Sequence, residues 1–125
     1  VPDRLQRKRT PGSRLPEGAV CVTRGTKWGN PYKAGEPITR DSDLWPYAAQ
    51  LVPGGAADLA SFTMLRAEDV VTAYGWWFIE QPHLMLTVRE ELGGKDLACW
   101  CKIGAACHAD WLIDFLSELE NDSDR

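Results

Sequence analysis

The stretch "KDLACWCKIGAACHADWL", residues 95–112, changes character twice, and its reading decides the fold. Asp96 to Cys101 is a short run of small and apolar residues behind the Gly93–Gly94 pair, which reads as a buried strand. Lys102 to Ala106 reads as a tight loop. From Cys107 onward a helix is expected. Leu112, Phe115, Leu116 and Leu119 recur at helical spacing, and Asp110 stands in the first turn, where a carboxylate suits the helix dipole.

Reading backward from that stretch, "HLMLTVREEL" (residues 83–92) is a helix stopped by the two glycines. "RAEDVVTAYGWWFIEQP" (66–82) is another, ended by Pro82, with Val70, Tyr74, Trp77 and Phe78 on its inner face and Glu68 and Asp69 as first-turn acids. Gly75 weakens this helix by about 1 kcal/mol relative to alanine. "AVCVTR" (19–24) alternates as a strand, and "GTKWGNPYKAGEP" (25–37) is a loop. Residues 41–64 read as a variable insertion, with "LWPYAAQLV" as a short helix broken at Pro46. The first eighteen residues, rich in proline and glycine, read as an irregular arm.

A strand–helix–strand crossover of this length fits parallel pairing. The expected fold is therefore α/β: a small, mainly parallel sheet flanked by helices in a single compact domain. That domain spans residues 19–120. A basic arm (1–18) packs on or near it, and an acidic tail (121–125) follows. In such a sheet the Lys27–Pro31 loop and the Cys101–His108 loop meet at the carboxyl edge, where open α/β sheets place ligands.

A chain of 125 residues is long enough to bury a core without disulfide staples. No run approaches the ~20 apolar residues of a membrane span, so no membrane partner is expected. The first residues carry charge with no apolar stretch behind them, and a cytoplasmic location is expected. In a reducing compartment, clustered Cys and His point to metal or reactivity more than to a disulfide. The net charge of −4 is unevenly spread. Arg4, Arg7, Lys8, Arg9 and Arg14 make the arm basic, and Glu118, Glu120, Asp122 and Asp124 make the tail acidic. A basic arm can hold phosphates or salt-bridge its own domain, while overall acidity argues against a dedicated duplex-DNA binder. Six tryptophans are many for this length, and exposed ones are stacking platforms for bases or sugars.

Three readings fit the cysteine stretch. Strand alternation puts Cys99 and Cys101 on one side, with Trp100 pointing away. With Cys107 and His108 they would make a four-ligand zinc site, and Cys21 on the first strand is a further candidate. Alternatively Cys107, at a helix start beside His108 and near Lys102, is an activated nucleophile in a candidate catalytic site with His108 and Asp110, and the same helix start equally suits an anion on its free N–H groups. The third reading is packing alone, favoured for Cys99. In the distant loop, Lys27 would meet a phosphate and Trp28 would stack. Gly29 would let the backbone approach closely. Asn30, held extended before Pro31, would offer a hydrogen-bonding edge. A stiff turn around a packed tryptophan fits the same residues.

Three motifs in order, "LQRKRTPGSRLPEGAVCVTRG", "KWGNPY" and "GKDLACWCKIGAACHADWL", make the chain similar to a family of small phage and bacterial proteins, the domain of unknown function 4326 family. The resemblance marks Lys27, Trp28, Gly29, Asn30, Pro31, Cys99, Trp100, Cys101, Cys107, His108 and Asp110 as signature positions. The family commonly has tyrosine where Cys21 stands and tryptophan where Ser13 stands, and its last loop carries prolines that Lys102 to Ala106 lack. It implies a bacterial host and brings no established activity. The expectation from the residues is binding of a nucleotide or a nucleic-acid end or base, with its modification left open. The competing expectations are a zinc-stapled interaction module and a host-directed inhibitor without catalysis, both meeting a host protein.

Overall fold

The computed structural model describes residues 3–7, 12, 14–52, 54, 58–101 and 103–123, with side chains to residue 119. Its elements are β1 (Arg4–Gln6), β2 (Val20–Cys21), β3 (Pro37–Thr39), α1 (Trp45–Ala48), β4 (Ser61–Thr63), α2 (Ala67–Phe78), α3 (Pro82–Leu92), β5 (Leu97–Cys99) and α4 (His108–Ser123). Strand β5 is central, with β1 and β2 pairing parallel on either side of it. The fold is the expected α/β arrangement. Among the described residues no helix is long and apolar enough to cross a membrane.

Three features of the arm and insertion differ from the sequence reading. The arm is not irregular throughout, because Arg4 to Gln6 lie in register with Leu97 to Cys99. Three residues cannot show alternation of their own, and β5 supplies the ladder that makes them a strand. The insertion contributes β4, which pairs antiparallel with β3. Pro46 opens α1 rather than breaking it, as suits a residue whose missing N–H falls where no intrahelical bond is made. The readings that rest on Lys8, Arg9, Ser13, Lys102 and the last acidic residues lie outside the described positions.

The core has two parts that share α2. Val22, Leu97, Leu84, Val88, Leu92, Leu112 and Leu116 fill the space between the parallel sheet and helices α2, α3 and α4. Tyr32, Ile38, Ala48, Met64, Val70 and Ala73 fill a smaller one under β3, β4 and α1. Tyr74 and Phe78 bring α2 against α4, where Phe78 lies 5.4 Å from Trp111 and 5.9 Å from Phe115 between ring centroids. Gly75 stands at the crossing: a Cβ there would collide with the indole nitrogen of Trp111. The glycine that weakens α2 as an isolated helix is what lets α4 come close.

Proline begins α3 and glycine ends it. Pro82 is at the first turn, and Gly94 takes a φ of 73°, a left-handed conformation that leads the chain back into β5. That return delivers the cysteines to the carboxyl edge of the sheet.

Candidate functional site

The site forms where β5 ends and α4 begins. Alternation holds: the Cys99 and Cys101 sulfurs lie together, 3.8 Å apart. The loop then brings Cys107 back over them, so that all three sulfurs lie within 4.8 Å of one another. Trp100, between two of them, projects the other way and is 39% exposed. Main-chain donors face the sulfurs. The Cys101 N–H donates to Cys99, and the Ala109 N–H, in the first turn of α4, donates to Cys107. Such donors favour thiolate.

The three thiols share their protons unequally. The hydrogen bond from Cys107, helped by the Cys101 main chain, overcomes burial and pulls the Cys99 thiol down to about 5. The same bond, from the other side, combines with burial to push Cys107 up, and burial pushes Cys101 up. At neutral pH the cluster is one thiolate held by two thiols, an electron-rich pocket suited to a cation.

His108 is buried, and burial pushes its pKa below the usual range, against the opposing pull of its hydrogen bond to Val22. Its Nε2 donates to the Val22 carbonyl just beyond β2. A carbonyl only accepts, so the proton is on Nε2 and the lone pair on Nδ1. Nδ1 lies 3.9 Å from the Cys107 sulfur. The edge of the ring rests on Tyr74, 5.2 Å between centroids. Nδ1 thus faces one of the three sulfurs, that of Cys107, while Nε2 donates to a main-chain carbonyl, an arrangement that orients metal-bound histidines; the group of mutually close donor atoms is the three sulfurs, without His108.

Asp110 turns away from this group. Its carboxylate lies 3.6 Å from Nε of Arg4, whose Nη1 donates to the Cys101 carbonyl at 2.6 Å. Burial raises the Asp110 pKa while Arg4 pulls it back. The arm is thus tied to both ends of the cysteine loop by one guanidinium.

The Lys27–Pro31 loop reaches the site through Asn30 alone of its five residues. A cleft of about 140 Å³ is lined by Arg24, Asn30, Val70, Cys101, Cys107 and His108 among others. Asn30 is committed: its side chain accepts from the Tyr32 N–H at 2.9 Å and donates to the Val70 carbonyl at 3.3 Å. Lys27 pairs with Glu91 on α3. Trp28 is buried, 4% exposed and stacked on Phe78 at 6.1 Å, and its carbonyl accepts the Tyr74 hydroxyl at 2.7 Å. Gly29 does permit close approach, since a Cβ would stand 2.8 Å from the Arg24 Cα and the Thr23 carbonyl oxygen. Pro31 is exposed.

The sequence reading placed Arg4 only within a basic arm able to salt-bridge its own domain, and it passed over Arg24. Arg24 donates to the Asn30 and Tyr32 carbonyls and so fixes the loop. The available signal was a cation closing a strand before a loop rich in glycine and proline, where main-chain carbonyls need donors. Cys21 is half-buried on β2 and stands outside the sulfur cluster.

The donor set suits zinc. Thiolates about 2.3 Å from a tetrahedral ion stand about 3.8 Å apart, which is the Cys99–Cys101 spacing. Three sulfurs and an imidazole nitrogen form a standard structural zinc set. A family model described as a domain of unknown function (DUF4326) matches residues 5–118. No curated protein and no solved structure matches the chain.

Proposed function

The chain belongs to the DUF4326 family, and on that footing we propose that Cys99, Cys101, Cys107 and His108 hold one zinc ion, making the chain a zinc-stapled binding module. The observation that carries the reading is the convergence of three sulfurs within 4.8 Å, from a strand end and a helix start. The ion would add side-chain ligation between the end of β5 and the start of α4, and the Val22 carbonyl would hold the His108 ring toward it. Its contribution would be folding free energy, because ligands brought together only in the folded chain bind metal and fold as one event.

Competing readings meet specific obstacles. A nucleophilic Cys107 needs an accessible thiolate, and this thiol is 3% exposed with its pKa pushed up. A nucleotide held by the Lys27–Pro31 loop needs Lys27, Trp28 and Asn30, which are engaged with Glu91, Phe78 and Val70.

Elemental analysis of the purified chain tests the proposal. One zinc per chain is expected, with cobalt substitution giving thiolate-to-metal charge-transfer bands. Cys107→Ser should lose both. A chain that neither retains zinc nor takes it up after reduction would sink the reading.

A further inference from the structure

The three sulfurs differ in what can reach them. The cleft of about 140 Å³ beside the cluster has Cys101 and Cys107 in its wall, with Val71 of α2 opposite, and Cys99 is not part of that wall. Cys99 and Cys107 are buried, whereas Cys101 is only half-buried. A small solute entering the cleft therefore meets the Cys101 sulfur first, with Cys107 behind it. The space holds a few non-hydrogen atoms, which suits a hydroperoxide and excludes a folded oxidant.

Two partners are within reach of that sulfur. Cys99 is the nearer, at 3.8 Å. However, two residues along an extended strand hold their Cα atoms about 6.6 Å apart, near the upper limit for a disulfide. Cys99 is also fixed in the ladder: it pairs with Gln6, and its carbonyl accepts the Arg7 N–H at 2.8 Å. Cys101 lies past the last residue of β5, and Cys107 directly precedes α4. Their sulfurs lie within 4.8 Å of one another. The chain between them turns back through Gly104, at a φ of 90°. Rotation of two side chains outside the ladder closes this gap without disturbing the sheet.

We propose that Cys101 is a site of oxidation by hydroperoxides, that it couples to Cys107 as a disulfide, and that the coupling releases the zinc ion. The inference rests on the zinc-stapled reading for the release, but not for the coupling. The Cys101 thiolate attacks one peroxide oxygen; the O–O bond breaks, a sulfenic acid forms, and hydroxide leaves. The Cys107 thiolate then attacks the sulfenic sulfur; the S–O bond breaks, and a second hydroxide leaves. Two thiolates, one hydrogen peroxide and two protons from solvent thus give one disulfide and two waters. The two sulfurs give up the two electrons that the peroxide takes. Cys99 and His108 remain, too few for a closed tetrahedral site. A dithiol reductant reverses the change.

The test treats the zinc-loaded full chain with excess hydrogen peroxide and follows freed metal with a pyridylazoresorcinol dye. Remaining thiols are alkylated and the chain is cut with trypsin. Cleavage after Lys102 separates Cys99 and Cys101 from Cys107. Zinc release is expected, with the two peptides joined, and fragmentation between Trp100 and Cys101 should place the bridge on Cys101. Dithiothreitol should restore zinc binding. Cys101→Ser, loaded with zinc, should release it about tenfold more slowly, because the sulfurs left are buried. Val71→Phe fills the cleft without touching a ligand and should slow release severalfold. A thermal melt shows that each variant is folded. Zinc retained in excess peroxide would overturn the inference. So would a bridge confined to the peptide 96–102, a bridge made through Cys99, release without any bridge, or an unchanged rate in a folded Val71→Phe. A bridge formed in a chain that holds no zinc would overturn the zinc reading and leave the coupling standing.

Discussion

His108 and Val22 are joined across the molecule: the ring Nε2 of the first donates to the main-chain carbonyl of the second, eighty-six residues earlier. This bond ties α4 to the end of β2 and leaves Nδ1 facing sulfur. His108→Ala would orphan a buried carbonyl, at a cost of about 1–3 kcal/mol in the metal-free chain. In the zinc-loaded chain the loss should be larger, because a ligand goes with it. Urea unfolding with and without zinc separates the two. Equal losses in both conditions would mean that Nδ1 does not bind the ion.

Zinc uptake should release protons. At pH 7 Cys99 is ionised, with its pKa at about 5, whereas Cys101 and Cys107 are pushed up and remain protonated. His108 is neutral because burial lowers its pKa. Binding therefore displaces about two protons, and the apparent affinity rises with pH near neutrality and falls further in acid as Cys99 is protonated too. Calorimetric titration in buffers of different ionisation enthalpy counts them. A count of zero would show that the thiols are not ligands.

Gly75 and Trp111 predict a stability change opposite to helix propensity. Alanine in a helix interior is favoured over glycine by about 1 kcal/mol. At this crossing its Cβ would strike the indole, and overpacking of this kind costs about 1–3 kcal/mol. Gly75→Ala is expected to lower the melting temperature. An increase would mean that α4 yields without cost.

The "KWGNP" loop should behave as packing. Trp28→Ala removes a buried ring stacked on Phe78 and should cost about 3–5 kcal/mol. Tyr74→Phe leaves the Trp28 carbonyl without its donor and should cost about 1–2 kcal/mol. Lys27→Ala breaks an exposed pair and should change stability by less than about 1 kcal/mol. Denaturant melts of the three variants check this order.

The sequence made the long elements readable and hid the short ones. Helices α2, α3 and α4 carry their own periodicity and stops, so Tyr74, Leu84 and Leu112 could be assigned to inner faces without knowing what they touch. Strand β1 could not be seen, because Arg4–Gln6 is a strand only by virtue of β5. At the site, alternation placed Cys99 and Cys101 together and Trp100 outward. The commitments of Lys27 to Glu91 and Asn30 to Val70 were hidden, since each partner lies on a helix distant in sequence. The Val22 carbonyl was invisible for another reason: a main-chain group has no letter of its own.

The central place of β5 also sets the timing of folding. Its neighbours β1 and β2 lie within the first 21 residues, and Asp3 bonds to Asp96 across 93 residues of chain. Such a sheet closes one of the longest loops the chain allows, which slows folding, and it cannot exist on a ribosome until β5 has emerged. The sulfur cluster, by contrast, spans only Cys99 to Cys107. A segment that short closes quickly, so the proposed metal site would be completed in the same event that pairs β5 with the two waiting strands.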